Sequence, residues 1–405
     1  MKKLSLIFAA LLCLALCGCK EQSEKKVINV YNWGEYISDG SEGCLDSNAA
    51  FEKYYLEKFG EEVEVVYTTY ASNEDMYAKL KSGASGYDVI IPSDYMIARL
   101  INEGMLEELN FENIPNYANI YDDFKGLYYD PENKYSIPYT YGMVGVIYNS
   151  EFVDEAHTGK WDLMWNEEYA GRILQFNNSR DAFGTAMYKL GIYVNTTDEA
   201  EWRRALDELK AQQPHLQGYV MDEIYNKMES GEAAISAYYA GDYLSMLENN
   251  ESLGFYYPTN EQGEIETNLF VDAYCIPKGA PNKELAEIYI DYMLSTEPAV
   301  ANAEYIYYAS PNKAVRENEE YIEYMGEDFE VLYPEGFDFK ENYDRLSYHN
   351  LDSETLALVN GLWEELKISS ATGETVYVLA VAIIVLLVGY GVFHTVRKRR
   401  RAKYY

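Results

Sequence analysis

The sequence predicts an α/β protein of two lobes, attached to a membrane through both ends of its chain. Three observations point there. From about residue 25 to residue 370 the chain is longer than one core usually serves, so two lobes are the expectation. Short apolar segments alternate with helical ones, the pattern of a largely parallel sheet. An apolar run stands at each end, flanked by basic residues.

The N-terminus reads Met1-Lys2-Lys3 and then runs apolar from Leu4 to Leu16, the layout of a secretory signal. The run ends Leu16-Cys17-Gly18-Cys19, which resembles a bacterial lipobox. That resemblance implies cleavage before Cys19 and a diacylglyceryl anchor on its sulfur. An ordinary cleaved signal is the alternative. Residues 1–19 are thus the signal region, and 20–26 a polar linker.

From Thr375 to Val396 there is no Asp, Glu, Lys or Arg. The length matches the ~20 residues needed to cross a bilayer. Arg397 to Arg401 follow and mark 397–405 as a cytoplasmic tail. A buried core helix would have to carry this basic cluster by chance. The body between the two attachments lies outside the cell membrane.

The net charge is −34, with 67 acids against 33 basic residues. Eight of the basic residues belong to the two termini, which leaves the body near −42. A field of that sign repels nucleic acid and attracts cations. Cys13, Cys17 and Cys19 fall in the signal. Cys44 and Cys275 remain, and could form one disulfide outside the cell. Neither has metal-ligand spacing.

Within the body, Val27–Tyr31 reads as a first strand, Leu45–Phe59 as a helix and Val63–Tyr67 as a second strand. Ser72 with Asp75 opens a helix through Leu80 in capping-box fashion. Val89-Ile90-Ile91 is a short buried strand. The pattern recurs after Tyr141. Gly142–Tyr148, Ile173–Phe176 and Ala233–Tyr239 are strand-like, Ser179 can cap a helix to about Leu190, and Trp202–Lys210 is helical. Phe270–Ile276 alternates and leads into a helix over Lys283–Leu294.

No reaction centre is visible. The four histidines, His157, His215, His349 and His394, sit in no HExxH motif, and no GxSxG elbow, GxGxxG or P-loop occurs. The chain is not expected to be an enzyme, and no cofactor is implied.

Several stretches carry a resemblance. They are Tyr31-Asn32-Trp33-Gly34-Glu35-Tyr36, Ser72–Lys79, Tyr87–Tyr95 and Tyr135–Tyr139, followed in order by Phe270-Val271-Asp272 and Tyr308–Asn312. Together they resemble the spermidine/putrescine-binding proteins of ATP-driven transporters. The likeness covers roughly residues 27–325 and is weaker to about 367. It implies a two-lobed periplasmic-binding-protein fold of type II, with the ligand cleft between the lobes. Lobe one would be 27–140 with 272–316, and lobe two 141–271 with 317–367. It also implies a monomer that hands a polyamine to an ABC permease and its ATPase.

The resemblance assigns the ligand contacts. Trp33, Glu35 and Tyr36 follow the first strand, and Ser93 and Tyr95 the third. Asp181 matches a carboxylate at the start of a helix in the second lobe. Phe270 and Asp272 match an aromatic and the acid that faces a ligand nitrogen, and Tyr308 matches a further aromatic wall. There are departures. Asn178 stands where the best-known spermidine binders have Asp, Tyr239 and Phe270 replace tryptophans, and Asp344 aligns loosely with a glutamine. These leave the preferred polyamine open.

The residue types suit the ligand. A polyamine is a row of ammonium groups separated by methylenes. Charge-assisted bonds to carboxylates are roughly twice as strong as neutral ones. Aromatic faces accept both the methylenes and the charge. Each residue also has an ordinary explanation. Asp181 suits the first turn of a helix on dipole grounds alone, and Trp33 could be core. Asp272, in an apolar strand, is hardest to explain that way, because a buried unpaired carboxylate is costly. A receptor of this fold for another small cation, or a sensor or adhesin ectodomain, are the alternative readings.

Overall fold

The computed structural model describes residues 25–83 and 86–368. The lipidation expected at Cys19 and the span expected over 375–396 lie outside the described residues. Among those described, no helix is long and apolar enough to cross a membrane.

Nine strands are described: β1 Lys26–Trp33, β2 Val63–Tyr70, β3 Val89–Ile90, β4 Ser136–Asn149, β5 Ile173–Phe176, β6 Leu216–Val220, β7 Ile235–Tyr239, β8 Leu253–Tyr256 and β9 Leu269–Cys275. They are joined in the order β2-β1-β3-β9-β4-β7-β5-β6, with β8 also on β4. At one end β1 runs parallel to β2 and β3. At the other β5 runs parallel to β6 and β7. The two parallel groups meet through β4 and β9, which pair antiparallel to each other.

Helices α1 Ser47–Phe59 and α2 Asn73–Lys81 make the crossovers of the first group. Parallel neighbours need such connections, and the helices cover the inner residues of the central strands. Ile28, Val30, Val89 and Ile90 are fully buried as a result. Helix α3 Asp94–Asn102 follows β3, α4 Ser179–Leu190 follows β5, and α5 Glu199–Gln212 precedes β6. Helix α6 Ile224–Glu229 precedes β7, and α7 Ala240–Leu247 follows it. Helices α8 Lys283–Met293 and α9 Thr296–Ile306 follow β9. Helix Phe339–Leu346 and helical residues 353–368 close the described chain.

Two details differ from the sequence reading, and one question it left open is answered. The strand expected from Gly142 begins six residues earlier, at Ser136, and a register shift between Pro138 and Thr140 accommodates the proline. Asn178, not Ser179, caps α4: its backbone is extended and its side chain accepts the Asp181 N–H at 2.8 Å. Cys44 and Cys275 are both free thiols, Cys275 fully buried within β9. The Ser72 cap is as expected, accepting from the Asp75 N–H.

Candidate ligand-binding cleft

Strand ends and helix starts from both parallel groups converge on one cleft. From the first group come Trp33, Glu35 and Tyr36 after β1, Glu74 on α2, and Ser93, Asp94 and Tyr95 around the start of α3. From the second come Asn178 and Asp181 at the start of α4, Asp222 before α6, and Tyr239 and Asp242 around the start of α7. Phe270 and Asp272 on β9, with Tyr308 and Tyr348, complete it. No lysine or arginine is among these lining residues. Ligand sites of open α/β sheets lie at such strand ends.

Asp272 is 4 % exposed. Its Oδ2 accepts the Tyr36 hydroxyl at 2.7 Å. Its Oδ1 is buried and accepts no hydrogen bond from a described residue. Burial pushes its carboxyl up to about 6; the Ser93 hydroxyl, which makes no direct hydrogen bond to it, and the bonded Tyr36 hydroxyl oppose the rise. Alternation along β9 puts Phe270 on the same face as Asp272. Phe270 meets Tyr239 edge to face at 5.3 Å, and Tyr308 at 6.3 Å. Two glycines admit these rings. A Cβ on Gly142 would lie 2.9 Å from Phe270 Cζ, and one on Gly241 2.3 Å from Tyr308 Cδ2.

Asp181 adds to the rise of Asp272, and its Oδ2 accepts Asn178 Nδ2 at 2.7 Å and the Tyr239 hydroxyl at 2.8 Å. Glu74 is nearby and accepts the Tyr95 hydroxyl at 3.0 Å. Burial raises both carboxyls, and Asp181 adds to the rise of Glu74 less than burial does. Asp242 accepts Tyr225 at 2.5 Å and Tyr308 at 2.7 Å. Burial pushes it up to about 7, with Asp222 and Glu35 adding to the rise. Trp33 is held by Nε1 donating to Ile91 O at 2.8 Å. Glu35 is exposed and has φ +48°, a left-handed conformation that few side chains adopt.

Residues 49–326 match the bacterial extracellular solute-binding protein family. The chain belongs to that family. It is 32 % identical over 321 residues to the spermidine/putrescine-binding periplasmic protein of Escherichia coli, covering 78 % of this chain and 86 % of the relative. A solved structure from Listeria monocytogenes superposes with a TM-score of 0.73 at 30 % identity, over 85 % of this chain and 100 % of that one. The spermidine/putrescine ABC transporter substrate-binding protein PotD of Streptococcus pneumoniae gives 0.66 at 31 % identity, over 85 % and 100 %. The mixed α/β, periplasmic-binding-protein-like fold expected from the sequence is therefore the fold of this solute-binding protein.

Of the twelve residues singled out in the sequence, the cleft gathers eleven: Trp33, Glu35, Tyr36, Ser93, Tyr95, Asn178, Asp181, Tyr239, Phe270, Asp272 and Tyr308. Asp344 is the exception. It is exposed on the helix Phe339–Leu346 and does not line the cleft. The chain near it contributes Tyr348 instead. Sequence reading also passed over Glu74, Asp222, Tyr225 and Asp242. Glu74, like Asp242, stands in the first turn of a helix that follows a strand, and that position was the available signal.

Proposed function

We propose that this solute-binding protein captures a small polyamine and delivers it to an ABC permease driven by an ATPase. The observation that carries this reading is the open Oδ1 of Asp272, buried among aromatic rings in a cleft lined by seven carboxylates and no basic side chain. A buried carboxylate oxygen without a donor is costly, and a ligand ammonium supplies the missing donor with its charge. Asp181 and Asp242 line the same cleft. An aromatic-walled, acid-studded slot suits a chain of ammonium groups and methylenes. Binding is the whole activity, with no chemical step.

The fold is of type II. Two lobes, 27–140 with 272–316 and 141–271 with 317–367, close on the ligand, and β4 and β9 are the strands between them. The protein works as a monomer at the outer face of the cytoplasmic membrane. A lipid on Cys19 and the 375–396 span hold it there. The names of its relatives and the Asp272 geometry support the ligand class. The lipobox and the charge pattern support the anchoring.

Calorimetric titration of the full chain in detergent tests the reading. Putrescine, spermidine and spermine are compared with arginine and thiamine. Tight binding of a polyamine and silence from the controls is the expected result. A folded protein that binds no polyamine would overturn it in favour of another cationic ligand or a sensor or adhesin role.

A further inference from the structure

Arg180 lies behind the wall of the cleft, 5 % exposed. Its Nη2 donates to Asn195 Oδ1 at 3.1 Å. Its Nε and Nη1 are buried with no partner among the described residues. A guanidinium does not deprotonate in proteins, and a buried charge without compensation is costly. The compensation lies one ring away. The guanidinium carbon is 4.7 Å from the centre of the Tyr348 ring and 5.7 Å from that of Tyr95. The Tyr95 hydroxyl donates to Glu74. The Tyr348 hydroxyl acts on Asp181, favouring its ionised form.

Tyr95 thus meets the cation at its ring and a cleft carboxylate at its hydroxyl, and the Tyr348 ring packs on the same guanidinium. A positive charge against the ring polarises the O–H toward its acceptor. The arrangement is held from behind. Asn195 Oδ1 also accepts the His349 N–H at 2.6 Å, and its Nδ2 donates to Ser347 O at 2.8 Å. The guanidinium and the segment bearing Tyr348 are therefore fixed by one carboxamide. The titratable groups in the field of Arg180 are Glu74, Asp181, Tyr95, Tyr128, Tyr188, Tyr348 and His349. Asp272 and Tyr239 face Asp181 from the other side.

We infer that Arg180 is a positioning residue that determines specificity. It is a built-in cation balancing one of the two negative charges of Glu74 and Asp181, so this end of the cleft accepts a single ligand ammonium. Asp242 feels Asp222 and Glu35 and no cation, so that group of acids takes the remaining charge. The inference rests on the polyamine reading and adds what sets the number of charges recognised.

The test titrates full-length wild type, Arg180→Lys, Arg180→Met, Glu74→Gln and the Glu74→Gln/Arg180→Met pair with putrescine and spermine, from pH 5 to pH 8. Arg180→Met is expected to raise the spermine-to-putrescine affinity ratio roughly tenfold at pH 8, the scale of one buried charge at this range. Its affinity should also begin to fall at a higher pH on acidification, because Glu74 and Asp181 have lost their cation. Arg180→Lys should keep both behaviours. The paired variant, with the charge balance restored, should return the ratio toward wild type. A folded Arg180→Met protein with the wild-type ratio and pH profile overturns the inference. Should Arg180→Met fail to fold, Glu74→Gln decides alone: the ratio should drop roughly tenfold, and an unchanged ratio overturns the inference. Wild type that binds no polyamine sinks the functional reading itself and this inference with it.

Discussion

Asp94 and Asp272 are both buried aspartates on elements that touch, since Ser93 and Asp272 form a β-bridge. Their hydrogen bonding separates them. Asp94 is saturated: Oδ1 accepts the Tyr95 N–H at 2.7 Å, and Oδ2 accepts Val271 N–H at 3.2 Å and the Tyr343 hydroxyl at 2.8 Å. Asp272 receives Tyr36 on one oxygen and leaves the other open. Burial raises both carboxyls, Asp94 up to about 8 and Asp272 up to about 6. The difference teaches that burial alone does not mark a site. The acid whose donors all come from its own chain ties the α3 start to β9 and to the helix Phe339–Leu346. The acid with a spare oxygen is the one still able to accept a further donor.

Exchanging each for asparagine is the strongest way to break this comparison. Asp272→Asn removes a charge-assisted bond in a dry site and should cost ~2–5 kcal/mol of polyamine binding, read by calorimetry. A variant that binds like wild type would remove Asp272 from the site. Asp94→Asn should act on stability instead, with a loss of ~1–3 kcal/mol at pH 5 from disturbed buried hydrogen bonds. Ligand affinity of the folded fraction should change little. The pH dependence has a definite sign. The carboxyl of Asp94 is raised on folding, so its contribution to stability is fully present below the unfolded value and is lost as pH rises through about 8. Thermal unfolding from pH 5 to 8 should therefore show a decline in wild type that Asp94→Asn flattens.

Affinity itself sharpens the contrast. A cationic ligand needs Asp272 ionised, and the empty site holds its proton up to about pH 6. Below that value affinity should fall by about tenfold per pH unit, the slope of a single proton. Asp272→Asn should lose this limb. Persistence of the same limb in the variant would assign it to Asp181 or Glu74.

Much of this was legible before the structure, and the reason is topological. Trp33, Glu35, Ser93, Tyr95 and Asp272 sit on or just after short apolar strands, and strand ends of an α/β sheet point into its cleft. A reader who finds the strands finds these residues. Asp242 and Glu74 share that logic but hide in the first turns of α7 and α2, where acids need no special reason. Tyr348 and Asp222 lie in irregular segments, whose course depends on packing against distant elements. Gly142 and Gly241 could not be read at all, because their role is the room they leave for Phe270 and Tyr308. Asn178 has a double life: it caps α4 and also holds the Asp181 carboxylate, so its departure from an acid keeps the cap while removing a charge.

The smallest expected effect concerns the residue that sequence reading placed in the cleft and the structure does not. Helix Phe339–Leu346 has a buried and an exposed face. Tyr343 is on the first and reaches Asp94, whereas Asp344, one position on, is turned some 100° around the helix and faces outward. A loose alignment cannot resolve a step of one residue, and on a helix that step exchanges inside for outside. Asp344→Asn should therefore change polyamine affinity by less than about twofold, as surface substitutions usually do, while Tyr348→Phe, which removes a hydroxyl acting on Asp181, should weaken it more. If Asp344→Asn proved the more damaging, the closed complex would have to draw this helix across the cleft in a way the present arrangement does not contain.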